Sequence, residues 1–208
     1  RNSANLLDKG SGLVEIHCTR SYAVSYIPTR ISAVANNLLS DGGMEASTVQ
    51  DLWAITLGTT QTNRLTAANI SLAYSTDYAK SGTKSLKMNK TDTAAGQFVL
   101  AVPARPGSRS GVYGWYKKPA GASAGNIFLS VASARIEGVN SLGAPNILSL
   151  AISDTINVGG TTALVDWTPI SFGMDRIIQS WATHILVYVD AAAYSGTLYF
   201  DDFYVSQI

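Results

Sequence analysis

Short runs in which β-branched and aromatic residues alternate with polar residues recur along the chain and limit the folds open to it. Gly, Pro, Asn and Asp separate these runs, and Pro103 and Pro106 follow directly on one of them. Alternation of this kind is typical of strands with one face in a core and one face in solvent. Helical periodicity is nearly absent, the best candidate being a single turn at 47–52. The pattern predicts an all-β antiparallel sandwich rather than an alternating α/β fold.

The runs also predict where the strands lie. A hairpin is expected from strands at 13–18 and 22–27, followed by extended chain at 31–34. Further strands are predicted at 70–74, 85–88, 97–102, 111–118, 127–134, 147–153, 167–172, 183–189 and 197–206.

A boundary near residues 33–37 divides the chain. Residues 1–36 are interpreted as an N-terminal arm, a hairpin or the end of a preceding domain, and residues 37–208 as the sandwich. The first segment is too short to bury its own core, so we expect it to pair with the sandwich or with a neighbouring subunit. The chain begins with Arg1 rather than Met, which is typical of a fragment or a processed product.

The composition argues against several classes of protein. Only 14% of the residues are charged, against about 25% in average soluble domains, and the formal net charge is +1. This balance is common in extracellular and virion β-proteins. Without a dense basic patch we expect no nucleic-acid partner, and without an apolar stretch of about 20 residues we expect no membrane insertion.

Two features have ordinary structural interpretations. Lys80, Lys84, Lys87 and Lys90 are interpreted as a solvated strand edge that the lysines keep from pairing. Cys18, the single cysteine, cannot form an intrachain disulfide and is expected to be buried as a small apolar residue.

No catalytic motif is present. The chain contains neither Gly-x-Ser-x-Gly nor His-Glu-x-x-His. Its two histidines, His17 and His184, fall in predicted strands, where packing is the usual role. Asp201 and Asp202 are neighbours on one predicted strand and therefore face opposite ways, which excludes them as a glycosidase pair. We expect a protein that is not an enzyme.

Aromatic residues supply a candidate carbohydrate-binding surface. Tyr113 and Trp115 share one face of a predicted strand with Lys117, while Gly114 lies on the other face. The small glycine indicates that its own face is the crowded one, so Tyr113 and Trp115 are expected to be exposed and able to stack on sugar rings.

Other aromatic residues are assigned to this surface or to the core. Trp181 joins the surface, with Tyr188 and Tyr194, if their strands are neighbours. The alternative is that large aromatic residues fill the core, which is the role expected for Trp53 and Trp167.

Three motifs follow one another in a fixed order. The first is Asp41-Gly42-Gly43-Met44-Glu45, with Trp53 a few residues on. The second is Ser81-Gly82-Thr83-Lys84-Ser85-Leu86-Lys87, and the third is a closing strand with Asp201-Asp202 between apolar residues. This ordered set resembles the jelly-roll carbohydrate-binding modules. The Asp-Gly-Gly-Met-Glu variant is also similar to jelly-roll domains of tailed-phage virion proteins.

The resemblance implies a jelly roll whose first and last strands lie side by side. It also implies a structural calcium ion held by Glu45, Asp201 and backbone oxygens, the hard ligands that calcium prefers. The residues themselves leave an alternative, in which Glu45 and the aspartates accept hydrogen bonds from backbone amides. Independently of the resemblance, Asp41-Gly42-Gly43 is expected to form a tight turn with positive φ.

The function expected from these features is a non-catalytic module of a phage virion, in a tail fibre or a capsid decoration protein. It would lie at the virion surface, contact other virion subunits and attach to host cell-surface glycans. A homo-oligomer is expected, with a trimer favoured. The alternative is a carbohydrate-binding module of a secreted, extracellular polysaccharide-degrading enzyme.

Overall fold

The computed structural model describes residues 6–8, 14–16, 37–123, 125–160 and 163–207, with side chains from residue 37 onward except 174–176. The chain divides into two compact units, Arg1–Asn36 and Asn37–Ile208. In the first unit, β1 (Leu6–Asp8) pairs antiparallel with β2 (Val14–Ile16). The strands predicted at 22–27 and 31–34 lie outside the described residues, as do His17 and Cys18.

The second unit consists of two antiparallel sheets, which confirms the predicted all-β sandwich of the jelly-roll type. One sheet has five strands in the order β11-β10-β13-β8-β3, and the other has seven in the order β12-β9-β14-β7-β6-β5-β4. The strands are β3 (Trp53–Leu57), β4 (Gln61–Asn63), β5 (Thr66–Ala67), β6 (Ile70–Ser75), β7 (Ser85–Lys90), β8 (Gln97–Pro103), β9 (Arg109–Lys118), β10 (Phe128–Val139), β11 (Pro145–Asn157), β12 (Val165–Ile177), β13 (His184–Asp190) and β14 (Gly196–Gln207).

The core lies between the two sheets and is rich in aromatic rings. Trp53 of the five-stranded sheet is 1% exposed and meets the Phe203 ring of the seven-stranded sheet edge-on, with 5.6 Å between centroids. Phe98 and Phe200 make a similar contact across the core at 5.7 Å. Trp167, expected in the core, is instead half-buried on edge strand β12. None of the described residues forms a helix that is long and apolar enough to span a membrane.

Several predicted elements differ from those observed. The turn of helix predicted at 47–52 is wrong, because these residues form bends and a turn before β3. Strands β1, β3, β4 and β5 were not predicted; β1, β4 and β5 have only three, three and two residues, too few for a periodic signal. The strand predicted at 13–18 is present as β2, but its partner among the described residues is β1. Strand β10 continues to Val139, beyond its pairing with β13 at residues 128–134. Its last residues are exposed, so no apolar periodicity marks them.

The interpretation of the four lysines as a solvated edge is wrong. Strand β7 lies inside the seven-stranded sheet, between β14 and β6. Lys90 at its end is 1% exposed, and its ammonium donates to the carbonyl oxygens of Ala94, of Asp92 at 2.7 Å and of Tyr194 at 3.1 Å. These bonds compensate for the burial of the charge.

The chain at 37–42 runs alongside β14, as the resemblance implied. The Leu38 amide donates to the Val205 carbonyl at 2.8 Å, and the Phe203 amide donates to the Gly42 carbonyl at 2.8 Å. The Asn37 side chain completes the pairing, since its Nδ2 donates to the Phe203 carbonyl at 3.0 Å and its Oδ1 accepts from the Val205 amide at 3.0 Å.

The turn predicted at Asp41-Gly42-Gly43 is present, but the positive φ predicted for it is not found at these glycines. The positive φ of this segment, 58°, belongs to Met44. A Cβ on Gly42 would lie 2.1 Å from the Phe203 carbonyl oxygen, whereas the nearest atom to a Cβ on Gly43 would be 3.9 Å away. Only Gly42 therefore has to lack a side chain.

We expect Gly42→Ala to lower the free energy of unfolding by about 2 to 3 kcal/mol, because the added methyl group separates the opening segment from β14. Gly43→Ala is the matched control and should stay within about 0.5 kcal/mol of wild type. Urea unfolding measures both. Equal effects of the two substitutions would contradict the close approach at Gly42.

Candidate functional site

The outer face of the seven-stranded sheet, turned away from the core, carries a group of half-buried aromatic residues. Tyr113 and Trp115 of β9 lie on it half-buried, while Val112 on the opposite side is fully buried. A Cβ on Gly114 would lie 3.0 Å from the Phe203 ring, so the glycine side is the crowded one, as predicted.

The turn at residues 76–84, between β6 and β7, lies against this outer face. The Lys80 ammonium is 4.5 Å from the centroid of the Trp115 ring. Tyr78 meets the Tyr199 ring edge-on at 5.0 Å and lies under the Lys117 ammonium at 5.0 Å. Such distances give cation–π attraction. Tyr113, Trp115, Lys117, Tyr199 and Tyr204, with Tyr78 and Lys80 of the turn, are called the aromatic face below.

Two ion pairs neutralise part of the aromatic face. The Lys117 ammonium is 2.5 Å from Asp166 Oδ1, and the Lys87 ammonium is 2.6 Å from Asp77 Oδ2. Asp77 also accepts a hydrogen bond from the Tyr199 hydroxyl at 3.0 Å. The bond from Lys87 lowers the pKa of Asp77, and the bond from Lys117 lowers the pKa of Asp166. Both carboxyls are therefore ionised at neutral pH.

An open groove of about 540 Å³ adjoins the aromatic face. Tyr78 and Tyr199 form its aromatic wall, and Asp77 supplies a carboxylate. The 119–122 loop, Gly196 and Thr197 complete the lining. Sequence reasoning missed this groove because Asp77 and Tyr78 lie in a turn without periodicity. The one local signal was the cluster of lysines that flanks them.

The structure does not bring Trp181, Tyr188 or Tyr194 to the aromatic face. The neighbours of β9 are β12 and β14, whereas Tyr188 lies on β13 of the other sheet. Tyr194 is fully buried. The aromatic residue that does join Tyr113 is Tyr204 of β14, at 6.5 Å between centroids.

Trp181 is exposed, but at the far end of the sheet. It follows Ile177, which pairs with Arg109 at the start of β9, whereas Trp115 pairs with Pro169. At about 3.3 Å per residue, Arg109 and Trp115 are roughly 20 Å apart along β9.

Glu45 and Asp201 bind the same turn by hydrogen bonds. Glu45 Oε1 accepts from the amides of Thr83 at 2.8 Å and Lys84 at 3.0 Å, and its Oε2 accepts from the Thr83 hydroxyl at 2.7 Å. Asp201 Oδ2 accepts from the amides of Lys80 at 2.6 Å and Ser81 at 3.4 Å. The sequence left open an alternative in which these carboxylates accept hydrogen bonds from backbone amides. The observed contacts agree with that alternative.

The residues around Glu45 do not fit a calcium ion. Both of its carboxylate oxygens accept hydrogen bonds from the protein, and the Lys84 ammonium donates to the carbonyl oxygens of Glu45 at 3.0 Å and Ala46 at 2.9 Å. A cationic group of the chain therefore already occupies the backbone oxygens nearby. The described residues contain no group of three or more His, Cys, Asp or Glu side chains arranged for a metal. Calcium at Glu45 and Asp201 stays a prediction without support from these contacts.

Comparison with solved structures identifies the architecture. The enzymatically active domain of tailspike protein 4 of bacteriophage CBA120 matches with a TM-score of 0.53 and 12% identity, over 83% of this chain. The CBM22-1 xylan-binding domain of Paenibacillus barcinonensis Xyn10C matches with a TM-score of 0.53 and 16% identity, over 84% of this chain and 96% of that one. The C-terminal family 22 carbohydrate-binding module of Clostridium thermocellum Xyn10B matches with a TM-score of 0.50 and 19% identity, over 81% of this chain and 94% of that one.

The likeness at these identities concerns the fold. The chain has the β-sandwich of carbohydrate-binding modules, and it spans about a fifth of the tailspike chain, 21%. No protein-family model matches the sequence, and no curated protein matches it.

Asp201 is fully buried, and burial raises its pKa to about 6 although the amides of Lys80 and Asp202 act to lower it. The folded protein therefore holds this proton more tightly than the unfolded chain does. Stability from this group is complete below the unfolded pKa, about 4, and is lost as the pH rises to about 6.

We compare the free energy of unfolding of wild type with that of Asp201→Asn, both measured in the presence of a chelator. The wild-type value minus the Asp201→Asn value should fall by up to about 3 kcal/mol between pH 4 and pH 7. Urea unfolding across this range measures it, and the subtraction removes titrations shared by both proteins. A difference that stays flat would contradict the raised pKa. A difference that rises with pH in excess calcium would restore the calcium site, because a bound cation favours the carboxylate.

Proposed function

We propose that this chain is a non-catalytic module of a phage virion, in a tail fibre or a capsid decoration protein, that binds a host glycan on the aromatic face. The observation that carries the proposal is the continuity of this face with the open groove beside Tyr78 and Tyr199. Trp115 and Tyr113 offer ring surfaces, and the groove offers polar groups for hydroxyls. Its volume, about 540 Å³, lies in the usual range of ligand sites.

The charge states support binding rather than hydrolysis. A glycosidase needs one carboxyl that keeps its proton at working pH and a second that is ionised across a cleft. Asp77 and Asp166 each bind a lysine ammonium, which lowers their pKa. Asp201 has a raised pKa but is fully buried, so a substrate cannot reach it.

An exposed apolar row supports contact with other virion subunits. Strand β11 is the outermost strand of the five-stranded sheet, and its neighbour among the described residues is β10. On it, Leu148, Leu150 and Ile152 are 51%, 39% and 54% exposed. Apolar side chains grouped at a sheet edge are typical of surfaces that another chain covers. The proposal is a homo-oligomer, with a trimer favoured, at the virion surface.

A second candidate is a carbohydrate-binding module of a secreted polysaccharide-degrading enzyme. The fold likeness to the xylan-binding domain of Xyn10C, over 96% of that domain, favours it. Both candidates place the glycan on the aromatic face and differ in what the chain assembles with.

We expect Trp115→Ala to weaken binding to a retained polysaccharide at least tenfold, because the ring surface for stacking is lost. Affinity electrophoresis through gels containing bacterial surface polysaccharides or plant glycans identifies the ligand, and titration calorimetry gives the affinity. Trp181→Ala is the matched control, and we expect less than a twofold change. Loss of binding in the control alone would move the site away from the aromatic face.

We expect the wild-type chain to form an oligomer whose mass by light scattering is a multiple of 22.0 kDa. Ile152→Lys should shift it to the monomer without lowering the melting temperature by more than about 2 °C, since the substituted side chain is exposed. A wild-type monomer at 100 µM would favour the secreted-enzyme module instead.

A further inference from the structure

Three lysine ammonium groups of the outer face each lie over an aromatic ring. Lys80 lies over Trp115 at 4.5 Å, and Lys117 over Tyr78 at 5.0 Å. Lys87 lies over Tyr199 at 5.7 Å. Two of these rings, Trp115 and Tyr78, are accessible enough to stack on a sugar, and each therefore has an ammonium group beside it.

We infer that the glycan held by the aromatic face is acidic, a polysaccharide whose sugar rings carry carboxylates, and that Lys80 recognises the carboxylate beside Trp115. This inference rests on the proposed glycan-binding function and specifies its ligand class.

Lys80 differs from the other two lysines in having no ion pair within the described part of the chain. Lys117 is paired with Asp166 at 2.5 Å and Lys87 with Asp77 at 2.6 Å. The ion pairs found among the described residues include none for Lys80, although its side chain is exposed. Among the residues that the structure describes, the Lys80 ammonium thus has no carboxylate in direct contact, and Asp166 attracts it only at longer range. A carboxylate of the ligand can take the place of that missing partner.

The backbone of Lys80 is held in place independently of its ammonium. Its amide donates to the buried Asp201 carboxylate at 2.6 Å, and the Ser81 hydroxyl donates to Asp202 Oδ1 at 2.6 Å. The side chain can therefore leave the Trp115 ring while the turn stays in position. A ligand that stacks on Trp115 displaces only the lysine side chain.

Displacement of Lys80 favours acidic over neutral sugars. A neutral sugar that covers Trp115 removes the cation–π contact of Lys80 and gives the ammonium no charged partner in return. A uronic acid replaces that contact by an ion pair and a charge-assisted hydrogen bond with the same ammonium. The loss of the contact between Lys80 and Trp115 thus weakens the binding of neutral sugars more than that of acidic sugars.

The test uses polygalacturonate, alginate and hyaluronan, each beside its methyl-esterified form, which keeps the backbone and removes the charge. We expect at least one acidic polymer to bind ten times more tightly than its ester at 50 mM salt. In Lys80→Gln this preference should fall below threefold, while Lys80→Arg keeps it. Arg135→Gln, which removes the same charge from an exposed site on β10, is the matched control and should bind like wild type.

The outcomes separate the inference from the function on which it rests. Equal binding of the acidic polymers and their esters, or of neutral xylan, would overturn the acidic ligand and leave glycan binding in place. An unchanged preference in Lys80→Gln would overturn the role of Lys80. Failure of the folded protein to bind any acidic or neutral polysaccharide would overturn the proposed function itself.

Discussion

Two carboxylates, Glu45 and Asp201, fix the 76–84 turn against the sandwich, and the aromatic face depends on that attachment. Glu45 binds the amides of Thr83 and Lys84, and the fully buried Asp201 binds the amide of Lys80. Between them lies Gly82, with φ of +62°, where a Cβ would be 2.3 Å from Glu45 Oε1. An L side chain at this position would both strain the backbone and push the carboxylate away. With the turn released, Tyr78 and Lys80 would lose their places over β9 and β14.

The same region joins the two ends of the sandwich unit. Gly42 and Asn37 bind the backbone of β14, and the Lys84 ammonium binds carbonyl oxygens at Glu45 and Ala46. Hydrogen bonds from Glu45 and Asp201 hold the turn in this structure. The burial of Asp201 makes stability depend on pH. Desolvation destabilises its ionised form, whereas the hydrogen bonds from backbone amides stabilise that form.

The sequence was informative where local pattern decides structure. Alternating runs predicted the sandwich. Because side chains alternate between the two faces of a strand, Gly114 between Tyr113 and Trp115 predicted which face of β9 lies against the core. It was uninformative where long-range pairing decides. From the sequence, Lys90 is expected at the surface. In the structure it is buried and donates hydrogen bonds to the carbonyls of Asp92 and Tyr194. Tyr188 and Tyr194 could be placed only once the sheet order put β13 in the other sheet.

The candidate site shows the same division. Trp115 and Tyr113 were accessible to sequence reasoning, whereas the groove was not, because a turn without periodicity brings Tyr78 to Tyr199 across 121 positions of chain. The ordered motifs assigned Glu45 and Asp201 to one region, and both side chains contact the same turn. The motifs did not foretell that both bind the turn at 80–84, since the resemblance implied an ion.

Backbone amide chemical-shift mapping with a bound oligosaccharide tests most directly whether the aromatic face is the ligand site. We expect the largest changes at Tyr113, Trp115 and Lys117 of β9 and at residues 77–81 of the turn. Strand β13 should show little change, because it lies in the other sheet. Changes centred instead on Leu186 and Tyr188, or on Val99 beside them, would place the ligand on the five-stranded sheet and contradict the assignment.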